Sequence, residues 1–206
     1  MFIRTSGCNL RCTWCDTPYT SWKPDGQDIE FGPILANVRR HRSSHVVVTG
    51  GEPMIAPEIV ELTEKLKELE HHITIETSGT VFKPVVCDLM SISPKLANST
   101  PYEEENGRWA DQHERTRYQP DVLKELISRY DYQLKFVVND REDVPEIRNI
   151  VEEIGADRRR VLLMPQGRNR QELAERSESV VKICVDLGYR FCPRAHIEIW
   201  GDRRGV

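Results

Sequence analysis

Three cysteines near the start of the chain carry its first recognisable chemistry: Cys8, Cys12 and Cys15, in the run Cys8-Asn9-Leu10-Arg11-Cys12-Thr13-Trp14-Cys15. Thiolates at C-x3-C-x2-C spacing can converge on one inorganic centre, and soft sulfur suits zinc or an iron–sulfur cluster. Three ligands are one short of a closed site. In a four-iron cube they leave one iron open, which points to chemistry rather than bracing. Structural zinc needs four protein ligands, usually as two close pairs. His41 or His45 could supply the fourth, but both lie on a different element and no spacing selects them. The cluster is the stronger reading. Cys87, Cys184 and Cys192 lie far apart and read as core or incidental cysteines.

A second candidate is Gly50-Gly51-Glu52-Pro53, directly after the β-branched run His45-Val46-Val47-Val48-Thr49. Gly-Gly and Pro suffice for a turn. Glycines also let a backbone approach a ligand closely, and Glu52 can accept hydrogen bonds from an ammonium group.

The elements that would position these groups follow from periodicity. Phe2 to Thr5 reads as a strand, followed by the cysteine loop and a polar turn region from Ser21 to Gln27. A helix from about Phe31 to His41 precedes the His45–Thr49 strand. A helix from about Pro57 to Glu70 has one apolar stripe, Ile59, Leu62, Leu66 and Leu69. Strands follow at His72–Thr77 and Cys87–Ser93. Residues 98–119 are polar without a clear period and are expected to form a long loop. Helices at Asp121–Tyr130, Asp143–Ile154 and Gln171–Leu187 alternate with strands at Tyr132–Asn139, Val161–Met164 and Tyr189–Ile199, before a short tail. Strands alternating with helices predict a mostly parallel sheet, either an open α/β sheet or a partial, incomplete β/α barrel. Ligands in such folds gather at the C-terminal ends of the strands. The cysteines, Gly50 to Pro53, Glu76 to Gly79, Ser93 to Lys95 and Pro165 to Gly167 all fall where a strand ends, so they are expected on one rim.

The chain has 206 residues, 38% hydrophobic and 30% charged, which is the composition of a soluble globular protein. A formal net charge of −4 argues against a general nucleic-acid binder. No run of about 18 apolar residues suggests a membrane span, and no signal peptide opens the chain. A cytoplasmic location is expected, where disulfides are disfavoured.

Cys8, Cys12 and Cys15 with Gly50-Gly51-Glu52-Pro53 resemble the radical S-adenosylmethionine superfamily. The resemblance implies an open iron that binds the amino and carboxylate groups of the methionine moiety. It also implies an adenosyl radical that abstracts hydrogen from the substrate. The match narrows through Phe2 to Cys8, Cys15-Asp16-Thr17, Thr49 to Pro53, Glu76 to Thr80, Ser91 to Lys95 and Trp200 to Val206. These segments are similar, in order, to the 7-carboxy-7-deazaguanine synthase family. That family rearranges 6-carboxy-5,6,7,8-tetrahydropterin to 7-carboxy-7-deazaguanine with loss of ammonia, toward queuosine and other 7-deazapurines. The implied cofactors are a [4Fe-4S] cluster, S-adenosylmethionine and Mg2+. The implied partners are an electron donor such as flavodoxin or ferredoxin and a second copy of the chain, within a single domain whose first strand and cluster loop span residues 1–20.

By this resemblance Cys8, Cys12 and Cys15 ligate the cluster, and Thr17 is the Mg2+ ligand, a hard oxygen that also suits a turn cap. Trp14, Cys15, Asp16, Glu52, Gly79, Ser93, Pro94, Lys95 and Gln166 line S-adenosylmethionine. Arg4, Thr77 and the chain-end carboxylate at Val206 touch the pterin, and His196 points to the same pocket or is a structural histidine. The family normally opens with a Gln-Gly-Glu-Gly segment that touches substrate. This chain begins almost on its first strand, so that segment is expected to be lost or to lie upstream of the assigned start. Two other functions remain open at this point: another enzyme of the superfamily, such as a glycyl-radical activase, and a non-enzymatic Fe–S carrier.

Overall fold

A computed structural model describes residues 1–204. Seven strands run β1 (Phe2–Thr5), β2 (His45–Gly50), β3 (His72–Thr77), β4 (Leu89–Ile92), β5 (Tyr132–Val138), β6 (Val161–Pro165) and β7 (Arg190–Phe191). They form one sheet in sequential order, and every neighbouring pair is parallel. Among the described residues β1 and β7 do not pair, so the expected partial barrel stays open. The long helices are α1 (Phe31–Arg40), α2 (Ile59–Glu68), α3 (Ala110–Arg117), α4 (Pro120–Arg129), α5 (Val144–Glu153) and α6 (Arg170–Leu187), with a short α7 (Ala195–Trp200).

Sequential parallel order has a physical consequence. Crossovers of one hand place every helix on the same face and curl the sheet around the other. Side chains divide accordingly. Val46, Val48, Ile73, Ile75, Met90, Ile92, Leu134, Phe136, Val138 and Leu163 point to the helices and are buried with Leu62, Leu66, Leu123, Ile147 and Ile183. Many of the alternate positions in β1 to β5 are polar. Arg4 is in register with Thr49, Glu76 with Ser91, and Ser91 with Gln133. This row lines the concave face.

Two sequence expectations are corrected. Residues 98–119 are not a loop: they hold two 3-10 turns (Ala97–Ser99 and Glu104–Gly107) and α3. Only Ala110 and His113 of α3 are buried, so no apolar stripe marks it. The last strand does not reach Ile199. It stops at Phe191, and Ala195–Trp200 is helical. Pro193 cannot donate to the ladder and biases the residue before it away from helix, which separates the two elements.

Candidate active site

The cysteine loop leaves β1 and is stitched into the end of β2. Gly7 N donates to Thr20 O (2.9 Å), closing the loop on itself, and Glu52 N donates to Gly7 O (2.9 Å). A Cβ on Gly51 would lie 2.1 Å from Gly7 O and 2.6 Å from Thr20 O, so only glycine permits this approach. The loop also touches the end of β3, where Asn9 Nδ2 donates to Thr80 Oγ1 at 3.0 Å. Lys95, after β4, packs its ammonium over the Trp14 ring at 5.8 Å and donates to Ser93 O and Oγ. The rim expected from the sequence therefore forms.

Cys12 is buried, while Cys8 and Cys15 are partly so. Burial pushes the Cys8 thiol up to about 11 and the Cys12 thiol up to about 12, against the opposing pull of the nearby Lys95 charge. At neutral pH these thiols hold their protons until a cation displaces them. Among the described residues no three Cys, His, Asp or Glu side chains stand where a single ion could take all of them. A cube does not require that closeness, because each thiolate binds its own iron. The donor set fits an iron–sulfur cluster with one iron left open.

Glu52 has no exposed surface. Its carboxylate accepts from Met54 N (3.0 Å), Thr77 Oγ1 (2.7 Å), Ser78 N (2.7 Å) and the Ser78 hydroxyl. Thr77 also accepts from Gly79 N at 3.0 Å. Glu52 and Thr77 thus form a buried hub that fuses the turns after β2 and β3. Gly79 is left-handed (φ 74°), and a Cβ there would strike Leu123 and Ile92 at 2.4 and 2.8 Å. Ser93 N binds Thr77 O at 2.7 Å, continuing the rim to Pro94 and Lys95. Gln166 N donates to Val138 O (2.9 Å), which places Gln166 after β6 on the same end of the sheet.

Thr17 precedes the 3-10 turn Pro18–Thr20, but its side chain makes no capping bond. Its hydroxyl lies 3.8 Å from Cys15 Sγ. The cap that sequence alone allows is not used, and the oxygen remains available to a ligand. Asp16 is paired with Arg194, which is 4% exposed and lies just before α7. The charges of Arg194, Asp16, Arg4 and Glu76 all act on His196, and burial is the main cause that lowers its pKa. Arg4, Asp16 and Glu76 are thus close enough to His196 for their charges to act on it. Val206 lies outside the described residues.

Sequence reasoning missed Arg194 and the ion pair Glu76–Lys135 (2.9 Å). Burial opposes ionisation of Glu76, yet Lys135 and the Thr49 hydroxyl hold its carboxyl below the usual range. The available signal was the alternation of polar residues inside strands, Thr49, Glu76, Ser91 and Lys135. Arg194 carries no pattern of its own. A separate cleft of about 510 Å³ lies at the opposite end of the sheet. Two of its arginines are already paired, Arg159 with Asp157 and Arg160 with Asp131, and it contains none of the rim groups.

The model of the radical SAM superfamily matches residues 2–99, which span the cysteine loop, the turns after β2, β3 and β4 and the first four strands. A 7-carboxy-7-deazaguanine synthase from Halobacterium salinarum is 42% identical over 213 residues, covering 98% of this chain and 83% of that protein. The chain belongs to the 7-carboxy-7-deazaguanine synthase family. A second 7-carboxy-7-deazaguanine synthase, from Rhodopirellula baltica, is 43% identical over all of this chain and 80% of its own length. The crystal structure of QueE from Escherichia coli has a similar fold, with a TM-score of 0.66 at 23% identity, covering 94% of this chain and 84% of that one. Membership in the radical SAM superfamily brings with it two cofactors, a [4Fe-4S] cluster and S-adenosylmethionine. Among the described residues no helix is long and apolar enough to cross a membrane.

Proposed function

We propose that the chain converts 6-carboxy-5,6,7,8-tetrahydropterin to 7-carboxy-7-deazaguanine with loss of ammonia, as a radical S-adenosylmethionine enzyme. The observation that carries this is the fusion of the cysteine loop with the β2, β3 and β4 turns into one rim above a polar concave face.

Cys8, Cys12 and Cys15 hold the cluster. Trp14, Asp16, Gly79, Ser93, Pro94, Lys95 and Gln166 border S-adenosylmethionine, which when bound to a reduced cluster supplies one-electron cleavage and hydrogen abstraction. Glu52 serves that site by fixing both turns in one piece. A direct contact from Glu52 to the methionine amine would require one of its present donors to give way. Thr77 likewise shapes the wall, since its hydroxyl is committed to Glu52 and Gly79.

Arg4, on the exposed side of β1 and near Glu76 and His196, suits the substrate carboxylate, which a guanidinium can bind bidentately. The Thr17 hydroxyl, which caps no backbone N–H and has only the long contact to Cys15 Sγ, is offered to Mg2+, with the substrate carboxylate and water completing a hard-oxygen shell. Glu76 presents an ionised carboxylate that can accept from the ring N–H and amino groups of a pterin. A one-electron donor such as flavodoxin or ferredoxin, a homodimeric assembly and a cytoplasmic location complete the proposal.

An anaerobic assay of reconstituted protein with the carboxy-tetrahydropterin, S-adenosylmethionine and Mg2+, read by mass, tests it. Formation of 7-carboxy-7-deazaguanine that disappears in Cys12→Ala is expected. A reconstituted, reducible chain that leaves the pterin unchanged would sink the substrate assignment.

A further inference from the structure

The cysteine loop has no helix or strand of its own, so its backbone donors must find partners elsewhere. Residues 98–113 supply partners for two of them, the N–H groups of Arg11 and Thr13. Thr13 N donates to Ser99 O (2.9 Å), and Trp14 Nε1 donates to Asn98 O and Oδ1 (both 3.1 Å). Asn98 in turn donates to Val137 O in β5 (3.3 Å) and to Asp143 just before α5 (2.9 Å). The loop is thereby referred to the sheet through this segment.

Thr13 Oγ1 also donates to Glu104, and a further tie is made by His113, which is 1% exposed. Arg11 N donates to its Nδ1 at 3.1 Å. A neutral imidazole that accepts at Nδ1 carries its proton on Nε2. Nε2 lies 2.9 Å from Ser99 Oγ, and that hydroxyl donates to Leu96 O at 2.6 Å. Every proton in this series then has one direction. The Arg11 guanidinium stacks on Trp109 at 5.0 Å, one turn before His113 on the same segment. Arg11 is the residue directly before Cys12 and three after Cys8, so its peptide sets the spacing between two thiols.

We propose that His113 is a positioning residue for the cysteine loop, a neutral imidazole held as the Nε2–H tautomer that fixes the Arg11 amide between Cys8 and Cys12. The proposal rests on the reading of these cysteines as cluster ligands. Removing the acceptor leaves a buried N–H without a partner and lets the loop spread. Iron would still load but would be lost sooner. α3 does not depend on His113 alone, because Arg117 ties it to Glu146 (2.6 Å) and to Lys95 O (3.0 Å).

The test begins on the metal-free full-length chain. Nitrogen NMR at neutral pH is expected to show His113 protonated at Nε2 only, with a slowly exchanging Arg11 amide. His113→Phe, which keeps bulk but accepts nothing, is expected to speed Arg11 exchange at least about tenfold. After anaerobic reconstitution it should lose iron to a chelator several-fold faster than the parent. His113→Asn, whose Oδ1 can accept from Arg11, should restore slow loss. A proton on Nδ1 in the parent, or unchanged Arg11 protection and iron retention in His113→Phe, would overturn the proposal. If His113→Phe does not fold, the tautomer of the parent still decides. If the parent itself retains no iron, the cluster reading fails, and the metal-free measurements still decide whether His113 holds the loop.

Discussion

At the residue scale, burial keeps the Cys8 and Cys12 thiols protonated at neutral pH. Thiols pushed up to about 11 and 12 are poor nucleophiles at neutral pH, and in the proposed site iron would displace their protons. Cys12→Ala should therefore bind less than a full cluster, seen as lost iron and lost visible absorbance after reconstitution. Thr17→Ala should keep full iron content yet lose most of the Mg2+ dependence of turnover; undiminished dependence would place the metal elsewhere. His113 gives a prediction with a definite sign. Burial lowers it from 6.5 to about 4, so between those values the unfolded chain binds the extra proton. Stability of the metal-free chain should fall as pH drops from about 6.5 to about 4, by at most ~3 kcal/mol from this group. Denaturant titrations at pH 5 and 7 should show that slope shrink in His113→Asn.

At the scale of elements, the strands were legible where side chains are uniform. His45 to Thr49 and His72 to Thr77 announce themselves because one of their faces is sealed by helices. Helices with an apolar stripe, such as α2 and α5, were equally plain. α3 was not, because it is held by polar bonds of His113 and Arg117 with the cysteine loop, the Lys95 carbonyl and Glu146 of α5, all distant in sequence. β7 and α7 blurred together since β7 is only two residues long and Pro193 intervenes. The rim glycines were legible as turns, but not as close contacts. Gly51→Ala would drive a Cβ into Gly7 O and Thr20 O, both backbone atoms that cannot swing aside. A loss of about 1–3 kcal/mol is expected, read as a melting midpoint lowered by several degrees. Arg194 joins the loop before α7 to the cluster loop through Asp16, while its buried Nε has no acceptor among the described residues. A guanidinium left partly unsatisfied is costly, and its persistence is consistent with a role in fixing Asp16.

At the scale of the whole molecule, sequential strand order does two things at once. It gathers the apolar residues on the helix side and leaves a polar row, Arg4, Thr49, Glu76, Ser91 and Gln133, beneath the rim. No single strand reveals this division; it exists only once the neighbours are in register. The cofactor rim and the proposed pterin face are thus separable. Lys135→Met, which unpairs Glu76, should raise KM for the pterin while leaving cluster content unchanged; lost iron in that variant would mean that the two regions are not independent.

If the cysteine loop and the strand-end turns make one site, a cluster held there keeps an open iron for S-adenosylmethionine. Electron paramagnetic resonance of the reconstituted, reduced protein decides this. Addition of S-adenosylmethionine is predicted to change the signal. A signal that is indifferent to S-adenosylmethionine would contradict the account.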